Sequence, residues 1–75
     1  MKTYKYTIKR GQNLIDVSIQ HYGSAEAIVE LCRDNNLNIG QEINPGTELL
    51  INETHVVDKR LVAYYKSNEI IVTSE

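Results

Sequence analysis

The spacing of bulky residues follows a period of two near the start of the chain and again after its middle. Residues 4–9 alternate bulky with polar side chains, which is the pattern of a strand with one buried face. Residues 47–51 form a second strand pattern directly after the turn signal Pro45-Gly46. The sequence therefore predicts two short strands.

Two helical patterns lie between these strands. The first covers residues 14–22, with Asn13 as N-cap, Asp16 completing a capping box and Gly23 ending the helix in a left-handed conformation. Its apolar residues fall on two faces, so we expect it to be buried around much of its circumference. The second helix begins after the cap Ser24 and carries an apolar stripe of Ala25, Ile28, Val29 and Cys32, widened by Leu31.

Together these elements predict an α+β fold of the β-α-α-β type over residues 4–52. We expect the two strands to form an antiparallel sheet with both helices on one face, because an isolated hairpin is not stable in water. Three tyrosines contribute to the packing, with Tyr4 and Tyr6 flanking the sheet and Tyr22 in the core.

A C-terminal extension, residues 53–75, follows this unit. A helical apolar spacing predicts a helix over about residues 57–67, ended by Asn68, and residues 69–73 read as a short strand or an adhesive tail. The N-cap of this helix is left open between two residues, Asp58 and Thr54.

Adjacent tyrosines on the predicted third helix indicate a protein contact. Tyr64 and Tyr65 diverge by about 100°, so both cannot face the same core and one is expected to be exposed. Exposed tyrosine is enriched at interfaces, and we hypothesise a protein interface at Tyr64, Tyr65, Ile70 and Ile71. The alternative, a helix folded back on the core with its spare hydroxyl in water, stays open.

Composition narrows the functional classes. The chain has 75 residues, a formal net charge of −2 and one cysteine, which excludes an internal disulfide. Its mixed charges offer no basic stripe for nucleic acid, and no apolar run approaches the roughly 20 residues that span a bilayer. The N-terminus lacks the apolar run of a signal peptide, so we expect synthesis in the cytoplasm without export.

The residues that could carry chemistry have simpler structural interpretations. Glu26, Glu30 and Asp34 recur every four residues on the second helix and are expected to form a solvated face. Cys32 lies on the apolar stripe and is expected in the core, while His21 is expected to satisfy free carbonyls at a helix end. We predict no catalytic residues, no metal site and no cofactor.

With the pattern complete, residues 4–52 resemble a LysM domain. That family's opening usually reads Y-x-V-x-x-G-D-T-L-x-x-I-A-x-x-Y-G and its ending P-G-x-x-L-x-I. The matching residues are the run Tyr6 to Gly11, then Leu14, Asp16, Val17, Tyr22 and Gly23, and finally the run Ile43 to Ile51.

The resemblance implies a ligand groove in a peptidoglycan- or chitin-binding module. In LysM domains that bind N-acetylglucosamine polymers, the first loop and the loop before the second strand form that groove. The corresponding residues are Gly11, Gln12, Asn13, Leu14, Leu37, Asn38, Ile39, Ile43 and Asn44. Gln12-Asn13 replace the family's usual Asp-Thr and can still bond acetamido groups, although no aromatic residue is present for a sugar to stack on.

The chain is also similar to small phage tail proteins of the tail protein X type. Those proteins have a Tyr-Gly pair and, later, a Gly-Thr pair before an apolar strand. Tyr22-Gly23 and Gly46-Thr47 match these two features. This second likeness implies a non-catalytic adaptor in a (pro)phage tail, baseplate or related injection particle, with other tail or baseplate proteins, or itself, as partners. It also adds incorporation into a virion to the expected locations.

Overall fold

Five regular elements and two 3-10 turns build the chain in the computed structural model, which describes residues 2–74. Their bounds in chain order are β1 (Thr3–Thr7), α1 (Leu14–Tyr22), α2 (Ile28–Asp34), β2 (Glu48–Asn52) and α3 (Lys59–Ser67), with 3-10 turns at Ala25–Ala27 and Glu53–His55. The predicted α+β class and β-α-α-β order are confirmed, and α3 follows them. Within residues 2–74, no helix combines the length and the apolar character needed to cross a bilayer.

The sheet is a two-stranded antiparallel pair in which Tyr4 lies opposite Ile51 and Tyr6 opposite Leu49. Ile8, Leu49 and Ile51 are buried in the core, on the side that both helices cover. Each strand lies one or two residues away from its predicted bounds. β1 ends at Thr7 rather than at residue 9. The Ile8 N–H donates to the Thr47 carbonyl and the Ile8 carbonyl accepts from the Gly46 N–H, so Ile8 bonds to the turn before β2.

Local signals set the bounds of α1. Both halves of the predicted capping box form: the Asp16 N–H donates to Asn13 Oδ1 over 2.9 Å, and the Asn13 N–H donates to Asp16 Oδ2 over 3.0 Å. Gly23 ends the helix at φ 76°, in the left-handed region. Burial around much of the helix circumference is confirmed, since six of its nine residues are buried: Leu14, Asp16, Val17, Ser18, Gln20 and Tyr22. Ile15, expected on a buried face, is instead 47% exposed.

The stripe predicted for the second helix is partly wrong. Ser24 caps a 3-10 turn, Ala25–Ala27, rather than the first turn of an α-helix, and α2 begins only at Ile28. Two residues of the predicted stripe, Ala25 and Val29, are exposed. The residues that reach the core from this region are Ala27, Ile28, Leu31 and Cys32.

The C-terminal extension packs against α1. Asp58 is the N-cap of α3, with its Oδ1 accepting from the Leu61 N–H over 3.0 Å, whereas Thr54 belongs to the preceding 3-10 turn. Asn68 ends α3 as predicted. Residues 69–73 form no strand but a tail whose hydrogen bonds run to side chains of the core, and Glu75, the last residue of the predicted extension, lies outside the described residues.

Candidate functional site

Gln12 organises the first loop and is only 7% exposed. Its Oε1 accepts from the Tyr6 hydroxyl and from the Lys9 N–H, while its Nε2 donates to Gln20 Oε1 over 2.9 Å and to the Val72 carbonyl over 2.8 Å. An amide has two donor hydrogens and two acceptor lone pairs, so the capacity of Gln12 is fully used. This side chain, predicted to face a ligand, holds the loop, α1 and the tail together.

The rest of the first loop is bonded in the same way. Asn13 Oδ1 is occupied by the α1 cap, and Asn13 Nδ2 donates to Ser74 Oγ over 3.2 Å. The Ser74 hydroxyl in turn donates to the Asp16 carboxylate over 2.8 Å. Leu14 is buried in the core, and Gly11 forms the turn at φ 86°. The tail therefore bonds to this half of the predicted groove.

The second loop offers more free surface. Leu37 and Ile43 are half-buried against the same core cluster that contains Leu14. Asn38, Ile39 and Asn44 are exposed, Ile39 at 61%. This half of the predicted groove faces solvent, but three of its five members are apolar.

A chain of hydrogen bonds fixes the protonation state of His21. Gln20 Oε1 accepts from the Val72 N–H as well as from Gln12, so Gln20 Nε2 must be the atom that donates toward His21 Nε2, 3.3 Å away. His21 Nε2 is then an acceptor, and the ring proton of the neutral imidazole lies on Nδ1. That nitrogen donates to Tyr4 Oη over 2.7 Å, which leaves the tyrosine's own O–H free to donate elsewhere.

Burial acts in the same direction as this network. It lowers the pKa of His21 to about 4, and it raises the pKa of Tyr4 to about 12, with a smaller contribution from the nearby Glu53 carboxylate. Both side chains are therefore uncharged at neutral pH. The prediction that His21 satisfies helix-end carbonyls is wrong, because its ring turns toward Tyr4 and Tyr6, with the Tyr6 ring centroid 4.1 Å away.

The low pKa of His21 predicts a loss of stability in acid. The unfolded chain takes up a proton near pH 6.5, whereas the folded chain resists protonation until about pH 4, so the contribution of His21 is complete above about 6.5 and is lost as pH falls through about 4. After allowing for partial exposure, we expect this residue to account for about 2 kcal/mol between those limits. Urea unfolding across this range measures the slope.

The matched control for that titration is His21→Asn, which retains hydrogen-bonding groups and removes the ionisable ring. Its free energy of unfolding should fall less steeply between about pH 6.5 and about pH 4 than that of the parent. Identical slopes for the two proteins would contradict a buried neutral imidazole.

A cleft of about 470 Å³ separates the core from the extension. Tyr65, Ile70 and Ile71, three of the four predicted interface residues, line it, whereas Tyr64 points outward and is 57% exposed. The remaining lining residues are Tyr4, Gln20, His21, Glu53, Val62, Lys66 and Glu69. Apolar walls with a few polar groups can hold a side chain or a small ligand. Of the residues that line the cleft on the side of the β-α-α-β unit, Tyr4 had a sequence signal, because the alternation of residues 4–9 places it on one face of a strand.

The residues considered for catalysis lie elsewhere. Cys32 is buried, and burial raises the pKa of its thiol, which lowers its reactivity. Glu26 is solvated as predicted, but Glu30 and Asp34 are half-buried because His55 packs beside them, with its Nε2 3.4 Å from Asp34 Oδ2. Among residues 2–74 there is no group of three histidine, cysteine or acidic side chains placed to hold a metal ion.

Comparisons with known proteins leave the function to be argued from the chain itself. No protein-family model, curated protein or solved structure matches it. The resemblance of residues 4–52 to LysM domains stays a prediction. The two candidate surfaces are the first loop bonded to the tail and the cleft beside α3.

Proposed function

We propose that this chain is a non-catalytic, LysM-like assembly adaptor that makes protein–protein contacts through its C-terminal extension. In this role the chain would be similar to small (pro)phage tail and baseplate components. The observation that carries the proposal is a difference in accessibility between the first loop and the C-terminal extension. The polar side chains of the first loop are bonded within the chain, while aromatic and aliphatic groups of the extension remain accessible.

The extension presents the residue types that interfaces favour. Val57 is 66% exposed, Tyr64 57% and Ile71 45%. The Tyr64 ring lies edge-on to that of Tyr65, with centroids 6.2 Å apart, so it presents a large area with little freedom to lose on binding. We assign the partner contact to these exposed residues of the extension.

Glycan binding, the alternative role, requires free donors and acceptors in the first loop. Gln12 has none left, and Asn13 is bonded to Asp16 and Ser74. A sugar would have to displace the tail and then replace its hydrogen bonds, which leaves little net gain in free energy. The bonded first loop therefore favours the adaptor.

Titration with N-acetylglucosamine oligomers, followed by amide NMR shifts, tests the alternative. We expect no saturable shifts at residues 11–14 or 37–44 with ligand at about 1 mM, a concentration that detects even weak sites. Saturable shifts confined to those two loops would instead favour the glycan-binding role.

Photocrosslinking tests the adaptor itself. A photoreactive phenylalanine analogue at position 64, in cells that make the chain with its native neighbours, is expected to give a discrete cross-linked species. The control position is 41, because Gln41 is also exposed but lies in the loop before β2. Equal labelling at both positions, or no discrete product at position 64, would contradict the proposal.

The variant Tyr64→Ala separates contact from stability. Because the ring is mostly exposed, its removal should change the free energy of unfolding by no more than about 0.5 kcal/mol. The same change should weaken co-purification of the cross-linked partner by about tenfold or more, the usual effect of truncating an interface aromatic. A large loss of stability would instead indicate that Tyr64 packs within the fold.

A further inference from the structure

The cleft between core and extension has the size and the walls of a binding site. Its volume of about 470 Å³ falls within the range of about 300–1,000 Å³ that is usual for ligand pockets. One wall comes from the core, with Tyr4 and His21, and the other from α3 and the tail, with Tyr65 and Ile71.

The charges of the cleft favour a cationic occupant. Glu53 and Glu69 lie at its edge against the single ammonium group of Lys66, so two negative charges face one positive charge and leave a net charge of −1. His21 adds no charge at neutral pH, because its pKa is about 4. Within residues 2–74, the ion pairs involve neither Glu53 nor Glu69, so both carboxylates are free to pair with a ligand.

The uncharged walls suit a long, planar cation. Tyr4 and Tyr65 supply the aromatic rings that cation–π contact requires, and Val62, Ile70 and Ile71 supply aliphatic surface for a methylene stem. A guanidinium group stacks on aromatic rings and bonds carboxylates through two N–H groups, and it is more weakly hydrated than an ammonium group. Arginine combines all of these properties in one side chain.

We propose that the cleft between α3 and the β1–α1 wall is a binding site for an arginine side chain presented by the protein partner. Glu53 and Glu69 pair with the guanidinium, the rings of Tyr4 and Tyr65 flank it, and Ile71 contacts its stem. This inference rests on the proposed adaptor role and specifies the chemistry of its partner.

The test uses the full chain and a minimal probe, N-acetyl-arginine amide. Titration followed by amide NMR should give saturable shifts at residues lining the cleft, among them Gln20, Lys66 and Ile71, with a dissociation constant of about 1 mM. The comparison probe is N-acetyl-citrulline amide, which has nearly the same shape without the charge. We expect it to bind at least about tenfold more weakly.

Variants locate the charge dependence. Glu53→Gln and Glu69→Gln should each weaken the binding of N-acetyl-arginine amide by about three- to tenfold and leave the binding of N-acetyl-citrulline amide unchanged. Glu26→Gln, a change at an exposed acid outside the cleft, should leave both unchanged. Equal affinity for the two probes, no saturable shift, or equal effects of Glu26→Gln and Glu53→Gln would overturn the arginine site.

The outcomes also distinguish this inference from the adaptor role. A discrete cross-link at position 64 without arginine binding in the cleft would overturn the arginine site and leave the adaptor standing. Saturable arginine binding without any cross-link would overturn the adaptor and support the site on its own.

Discussion

Replacing Gln12 by leucine is expected to lower the free energy of unfolding by about 3 kcal/mol, because unbonded buried polar groups cost about 1–3 kcal/mol each. The substitution removes all four hydrogen bonds of the side chain at once. It leaves the Lys9 N–H and the Val72 carbonyl without their partners in a half-buried site. Urea denaturation of the two proteins measures the difference.

The control for this variant is Gln41→Leu, the same chemical change at an exposed position. Gln41 Oε1 accepts one hydrogen bond, from the Asn38 N–H, at the surface. Its replacement should change the free energy of unfolding by no more than about 0.5 kcal/mol. Equal effects at positions 12 and 41 would contradict the role of Gln12 as the link between first loop and tail.

Replacing Gly23 by alanine is expected to cost about 3 kcal/mol, the sum of left-handed strain and steric overlap. Gly23 adopts φ 76°, and a Cβ there would lie 2.7 Å from the Asp58 carbonyl oxygen and 2.8 Å from Asp58 Cβ. Asp58 is the cap of α3, so the methyl group would push the extension away from the corner between α1 and α2. Thermal or urea unfolding measures the loss.

Gly46→Ala isolates the two components of that cost. Gly46 also has a positive φ, of 94°, but apart from its own two chain neighbours no residue comes within 4 Å of its ideal Cβ position. We expect a cost of about 1 kcal/mol, from backbone strain alone. Equal losses at positions 23 and 46 would contradict close packing between Gly23 and the extension.

Much of the fold could be predicted because its signals are local. Asn13 and Asp16 are three residues apart, and the geometry of a helix start makes their mutual hydrogen bonds almost unavoidable once the helix forms. Gly23 and Asn68 end their helices for similarly local reasons. The two strands followed from alternation and from the turn before β2.

Errors arose where a neighbouring element changed the surroundings of a residue. The sequence places Glu30 and Asp34 on a polar face, but nothing nearby in the chain indicates that His55 packs beside them. The sequence also predicts one continuous helix after Ser24, whereas the chain forms a 3-10 turn at Ala25–Ala27 and begins α2 at Ile28. Periodicity alone does not distinguish these two kinds of helical turn.

The candidate site depends on contacts that are distant in sequence. Gln12 and Val72 are 60 positions apart, and neither residue type indicates that the two form a hydrogen bond. The cleft likewise needs a strand tyrosine, Tyr4, to face a helix tyrosine, Tyr65, across a boundary that the sequence marks only as a change of pattern. Three of the four predicted interface residues, Tyr65, Ile70 and Ile71, therefore lie together in the cleft. The cleft itself could not be predicted from the sequence.

Docking of the tail on the core is the claim on which both proposed surfaces depend, since it closes the first loop and builds one wall of the cleft. Hydrogen exchange at the Val72 amide tests it most directly, because that N–H donates to Gln20 Oε1 over 2.9 Å. We expect exchange at least about 100-fold slower than in an unstructured peptide. Exchange at the unprotected peptide rate would show a free tail and contradict the account.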